Sequence, residues 1–347
     1  MTQETSLKHR LSSPSRRVAV LFCAFGLLGM GTKAALAQAS KQGQAATSAW
    51  PTKRIRVVAA GPGGASADIL ARVVADGLAK ETGQPVIVEP KPGAGGALAV
   101  NDLSQSPQDG HTLLVGVSSI VSEIPHVIKM PGDMTKEIKP LVEIGHGGLV
   151  MVGAPSVPAK SFGELLTWVK ANRGKVGYAS YTPGTLSHVL GLQLNEAAGL
   201  DMTHVGYKGS TPALTDVMGN HVPLMFDGLA TSLPLIKSGK IKAFAVSSPK
   251  RSPMLPDVPT FAELGYPQLT AESWMGLWVK PGVPADVQAA VRTTTLKLME
   301  HPDTRKRVLE LGLEPGSTRT PEELSKSLAA DYRRVGDVLK SINFKPE

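Results

Sequence analysis

Cysteine is almost missing from this chain. The one cysteine, Cys23, sits inside an apolar run near the start, so a chain processed beyond that run carries no thiol. Disulfide staples, cysteine nucleophiles and thiolate metal sites are thereby excluded from the processed chain. Catalytic signatures are missing as well. There is no GxSxG elbow, no GxxxxGK[ST] phosphate loop, and no HExxH pair among the eight histidines. Lys and Arg form no dense run and no basic-aromatic stripe, which argues against a nucleic-acid partner. Beyond the leader no apolar stretch reaches the roughly 20 residues a membrane-spanning helix needs. These gaps leave no expected catalytic residue, metal ligand or cofactor.

What is present begins with a leader. A basic start is followed by an apolar run over 18–30 and the small-residue site Ala35-Leu36-Ala37, the pattern of a cleavable export signal ending at residue 37. Ser15-Arg16-Arg17 resembles a twin-arginine signal, and Lys33 acts against the general secretory route. The periplasm is the expected destination. Residues 38–49, small and polar, read as a flexible tether. The leader holds five basic residues and one acidic one, so the formal charge of +8 falls to about +4 without it. That excess is enough to steer anions but not to define a nucleic-acid surface. About 310 residues remain, more than one compact core usually holds.

Short apolar runs bounded by Gly and Pro alternate with segments of helical spacing, the signature of βαβ units and an α/β fold. Strands are expected at 54–59, 86–89 and 112–117, with a helix at 67–80 carrying Ile69, Leu70, Val73, Val74 and Leu78 at helical spacing. A second series starts near Leu149. It offers strands at 175–180, 222–227 and 242–247 and helices at 161–172, 186–198 and 211–218, the first with Ser161 as N-cap and Glu164 three residues on. Proline-rich 248–267 reads as a return crossing to a strand at 274–279, and helices follow at 285–300, 302–311 and 321–339. The expected organisation is one domain from 50–148 plus 273–347 and a second from 149–272. Each is a mainly parallel sheet flanked by helices, and two crossings join them.

Three turns follow strands and open helices: Gly61-Pro62-Gly63-Gly64-Ala65-Ser66, Pro92-Gly93-Ala94-Gly95-Gly96 and Thr182-Pro183-Gly184-Thr185. A helix N-terminus presents unpaired N–H groups and partial positive charge, which suits a carboxylate or phosphate, although each turn alone also fits an ordinary tight connection. The first turn imitates a dinucleotide fingerprint poorly. Ser66 stands where the third glycine belongs, and Glu89 follows Gly61 by 28 residues where roughly 20 are expected. Asp227 ends an apolar strand and precedes a glycine, so it is expected to face a cleft; a structural role is the alternative. His188 is either a ligand donor or a cap for its own helix. Asp68 either stabilises its helix start or meets ligand, and Lys208 either meets an anion or is simply solvated. At least one of Trp274 and Trp278 is expected in the core.

Together these segments resemble a known family. WPTKRIRVVAAGPGGASADILAR, PVIVEPKPGAGGALAV with DGHTLL, YASYTPGTLSHVLGLQL, HVGYKGSTPALTDVM, VPLMFD and SPKRSPMLPDVPTFAELGYP, in that order, resemble the Bug-type receptors, the TctC substrate-binding proteins of tripartite tricarboxylate transporters. The resemblance implies a two-domain periplasmic-binding-protein fold, type II-like, closing over one small organic acid. It implies membrane transporter subunits as partners, a monomer, and no enzymatic activity. Carried over residue by residue, the ligand contacts would be Gly63, Gly64, Ala65 and Ser66 with Ser118 and Ser119 from one domain. The other would supply Thr182, Gly184, Thr185, His188 and Asp227. A sensing receptor that presents its bound form to a membrane kinase or chemoreceptor is the rival role. Departures from the family pattern stand at Ala59-Ala60-Gly61-Pro62, at Pro183, which removes one backbone donor, at Gly206 and Pro223, and across 123–139.

Overall fold

A computed structural model describes residues 50–128, 132–341 and 344. The expected leader (1–37) and tether (38–49) lie outside the described residues. The first half of the chain forms β1 (Ile55–Ala59), α1 (Ser66–Thr82), β2 (Val86–Pro90), α2 (Ala97–Ser104), β3 (Thr112–Val117), the short α3 (Ser119–Ser122) and α4 (Met134–Glu137), and β4 (Lys139–Gly147). The chain then passes to β5 (Leu149–Gly153), α5 (Phe162–Ala171), β6 (Gly177–Ser180), α6 (Leu186–Ala198), β7 (Thr203–Gly206), α7 (Ser210–Met218), β8 (Leu224–Gly228), α8 (Leu229–Lys237) and β9 (Lys242–Val246). It returns through β10 (Ser273–Val279), α9 (Ala285–Glu300), α10 (Pro302–Glu310), β11 (Glu314–Pro315) and α11 (Pro321–Ser341).

Two sheets result, in the orders β11-β4-β10-β3-β1-β2 and β7-β6-β8-β5-β9, each with helices packed on it. Both are mixed: as expected, most strands of each run one way, with β10 and β11 reversed in the first and β5 in the second. β1 runs parallel to β2 and β3, and β6 to β7 and β8, but β10 is antiparallel to β3 and β4, and β5 to β8 and β9. The physical reason is direction of travel. β1, β3, β6 and β8 each end where the halves meet and turn there into a helix, whereas β5 and β10 carry the chain away from that junction and so run the other way. β4 was not anticipated from sequence. It opens on Lys139-Pro140 and buries Glu143, whose carboxylate accepts from Arg319 at 2.7 Å and 3.0 Å and from Ser317. Burial pushes this carboxyl upward, but His146, Ser317 and Arg319 outweigh it and hold it at about 2.

The crossings are tied together at Ser247, which is completely buried. Its N–H donates to the Leu149 carbonyl, its hydroxyl accepts from the Leu149 N–H and donates to the Ala271 carbonyl, and its own carbonyl accepts from the Ala271 N–H. One residue therefore joins the outgoing strand, the end of β9 and the return segment.

Burial follows the apolar pattern. Leu70, Val74 and Leu78 of α1 pack against β1 and β3, and α1 ends at Gly83 with φ 69°, a left-handed cap that glycine adopts without strain. In the second half, α6 crosses Tyr178 so closely that a Cβ at Gly191 would lie 2.0 Å from its ring. Tyr178 is fully buried and its hydroxyl donates to the His188 carbonyl, so the ring has no room to move. Gly191→Ala should cost about 1–3 kcal/mol of stability despite alanine's better helix propensity, read as a lower midpoint in thermal or urea melts.

Candidate functional site

Where the halves meet, the chain encloses a cavity of about 190 Å³. Its wall is built from residues of both: Ala60, Ser66 and Ser119 on one side, Tyr181, Ser210 and Leu229 on the other. The halves touch around it. The Thr211 hydroxyl donates to the Gly63 carbonyl at 3.5 Å, and a Cβ at Gly209 would meet Pro62 at 2.4 Å. Four helices begin at this cavity, since Ala65-Ser66, Thr185, Gly209-Ser210 and Gly228-Leu229 all line it. None of the four is closed by the side chain of its N-cap residue. Helices away from the cavity differ among themselves: Ser161 accepts from the Glu164 N–H ahead of α5 and Thr320 and Glu323 bond reciprocally at α11, whereas α2, α9 and α10 also start without an N-cap side-chain bond. The uncapped first turns thus aim N–H groups and partial positive charge at one small space.

The charged side chains agree with that polarity. Among the lining residues no Asp or Glu occurs, and the one Lys or Arg is the exposed Lys208. The remaining surface is apolar, with Val117, Ile128, Leu149, Met275 and Leu313 beside the glycines. Such a wall sets N–H donors beside hydrocarbon surface.

Of the residues expected from sequence, Ala65, Ser66, Ser119, Thr182 and Thr185 line the cavity, and Gly63, Gly64, Ser118, Gly184, His188 and Asp227 do not. Ser119 is the strongest of them. It is buried, and its hydroxyl has no protein partner among the described residues. The Thr182 and Thr185 hydroxyls donate to carbonyls of their own turn. Gly63 and Gly64 form the outer lip, where the Gly64 N–H donates to Asp68, itself paired with Arg72. Asp68 therefore shapes the turn. Ser118 bonds β10 through the Trp274 backbone. Both tryptophans are buried in the core, stacked at 5.1 Å.

Asp227 lies beneath the cavity, with no exposed surface. Its carboxyl accepts from Ser210, Thr231 and Ser232, each at 2.6 Å, tying the starts of α7 and α8 together. Burial raises its pKa, and the hydroxyl bonds and the Gly228 N–H partly offset that rise. His188 is likewise structural. Its Nδ1 accepts from the Gly184 N–H at 3.0 Å, which requires a neutral ring, and it stacks on His204 with centroids 3.6 Å apart. Burial, with His204 adding to it for His188, lowers the two imidazoles to about 3 and about 4.

Sequence reasoning missed Ser210, Gly228, Leu229 and Met275. The signal for the middle pair was present: Asp227-Gly228-Leu229 repeats the strand-turn-helix form of the other three turns. Met275 was hidden by its flanking tryptophans.

The family model for the tripartite tricarboxylate transporter family receptor, TctC, matches residues 70–344. This chain belongs to the TctC receptor family. A UPF0065 protein of Bordetella bronchiseptica is 32% identical over 301 residues, covering 86% of this chain and 88% of that protein. Among solved structures, Rpa4515 of R. palustris with adipate is 27% identical with TM-score 0.82, covering 86% of this chain and 100% of that one. MatC of Rhodopseudomonas palustris with bound malate is 27% identical with TM-score 0.75, covering 84% and 100%. TctC receptors bind substrates and are not enzymes, and this chain shares their α/β fold of two helix-flanked sheets.

Two outcomes follow for this TctC receptor. The neutral histidine pair binds fewer protons folded than unfolded between about pH 4 and the ordinary imidazole value near 6.5, so its stability contribution is complete above that value and declines as pH falls. His204→Phe should shrink the loss of melting temperature between about pH 7 and pH 5. Asp227→Asn keeps the shape but deprives at least one hydroxyl of its acceptor, and denaturant melts should show a loss of about 1–3 kcal/mol.

Proposed function

We propose that this protein is a periplasmic receptor that captures a small organic carboxylate between its two halves and delivers it to membrane subunits of a tripartite transporter. The observation that carries the reading is the meeting of four helix starts, none closed by its N-cap side chain, at one cavity with no acidic wall residue. Backbone N–H groups there replace the water that a carboxylate gives up on burial, and they are pre-aligned, so little ordering is needed on binding. The cavity is smaller than the roughly 300–1,000 Å³ of pockets for drug-sized ligands, which favours an acid of a few carbons. The adipate and malate carried by two related structures are acids of that size.

In this reading residues 50–148 with 273–347 and residues 149–272 act as two domains. The ligand bridges their turns and so favours the closed state through contacts that only closure completes. Ser66 and Ser119 contact it from one domain, and Thr182, Thr185 and Ser210 from the other. Lys208 at the mouth draws anions in. The leader takes the chain to the periplasm and is removed, and the mature receptor works as a monomer.

Calorimetry on protein unfolded and refolded to strip retained ligand, titrated with a panel of mono- and dicarboxylates, tests the reading. Saturable binding of at least one acid is expected; no binding of any at millimolar concentration would overturn it. Ser119→Ala should weaken the bound acid by about tenfold or more, because it removes a hydrogen bond to a charged acceptor. The same variant should melt no lower than wild type, since the hydroxyl it removes has no protein partner.

A further inference from the structure

Each of the second half's three helix starts meets a close-fitting partner in the first half. Ahead of α6, a Cβ at Gly184 would lie 1.7 Å from the Val127 side chain, and at the start of α7 a Cβ at Gly209 would lie 2.4 Å from the Pro62 ring. At the start of α8 the direction reverses: Leu229 reaches the first half, where a Cβ at Gly312 would lie 2.5 Å from its own Cβ. No side chain fits at such separations, so each glycine is a socket filled by one residue from across the junction. Val127 and Leu229 are 1% and 4% exposed, and Pro62 is partly buried. The seam continues outward from Val127, which packs in one apolar cluster with Val189 of α6 and with Val335 and Leu339 of α11.

Polar contacts across the junction are weaker. Of the ion pairs between described residues none joins the two halves, and the Thr211 hydroxyl bond to Gly63 is long at 3.5 Å. Apolar contact of this kind is short-ranged, because a gap of about 1 Å already forfeits up to half of the attraction. The seam therefore contributes only when all three sockets are filled, that is, when the halves are shut.

We propose that Pro62, Val127 and Leu229 are positioning residues for ligand capture: seated in their sockets, they favour the closed receptor before any ligand arrives and set the helix starts of the second half against the first. The effect on affinity rests on the capture reading given above, whereas the effect on shape does not. Pro62 and Leu229 also line the cavity, but Val127 does not. Loss of the Val127 side chain thus changes the closed fraction without removing a ligand contact, and it weakens every acid by one common factor.

The glycines are poor probes, since their φ values of 80°, 128° and 77° would strain any replacement. Val127→Ala empties its socket, and Val127→Thr keeps its shape but places a hydroxyl in the seam, so the second carries the test should the first fail to fold. Pro62→Ala removes the ring atoms that fill the Gly209 socket. Small-angle scattering on receptor unfolded and refolded to strip retained ligand should show each variant about 1 Å larger in radius of gyration than wild type, against roughly 19 Å for a compact chain of this size. Calorimetry with adipate and with malate should show both weakened about tenfold in the Val127 variants, with their ratio unchanged. A ligand-free radius equal to that of wild type, an unchanged affinity, or a shifted ratio overturns the proposal. If wild type binds no carboxylate at all, the function proposed above falls, while the scattering comparison still decides the seam.

Discussion

A helix cannot pair the N–H groups of its own first turn, and the whole junction of this protein depends on that constraint. Two helices that start at solvent meet it with local side chains, at Ser161 and Thr320. Four helices that start at the junction leave it to something else. All four of those starts line the cavity. Water, a side chain or a ligand must supply each acceptor, and the first turns make the cavity wall electropositive without a single arginine in it.

The rest of the architecture serves to bring those helix starts together. Strands that feed a helix point at the junction, and strands that leave it run back, so the mixed pairing of both sheets follows from the position of the site. Beneath the cavity Asp227 holds two helix starts in register through three hydroxyls. Behind it the stacked pair of His188 and His204 supports the turn at Gly184. These are buried polar groups with their bonds satisfied, which rigidify a site more than they stabilise a fold.

Most of the fold was legible in the sequence because its elements obey local rules. The span of α6 is bounded by Thr185 and by Gly199 in a left-handed conformation, and β3 is a continuous apolar run, so both match their expected limits. β4 escaped notice because Glu143 interrupts its apolar pattern, and the partners that make this burial tolerable, Ser317 and Arg319, lie more than 170 residues away. The same kind of distance hides the surroundings of Asp227. Asp227 stands at a strand end, where a cleft-facing side chain is the natural inference, but Ser210, Thr231 and Ser232 draw it inward. Ser119 is among the contacts the resemblance names, but only the fold shows that its hydroxyl is buried without a protein partner among the described residues.

A wall made of main-chain amides has an evolutionary property that a wall of side chains lacks. Replacing most residues at the starts of the four helices leaves the N–H groups in place, so the polarity of the wall tolerates extensive sequence drift. Discrimination among ligands then falls to the few side chains that line the cavity, such as Ser119 and Met275. In a scaffold of this kind a new ligand range can be reached by one or two substitutions, with the capacity to hold an anion never passing through a non-functional intermediate.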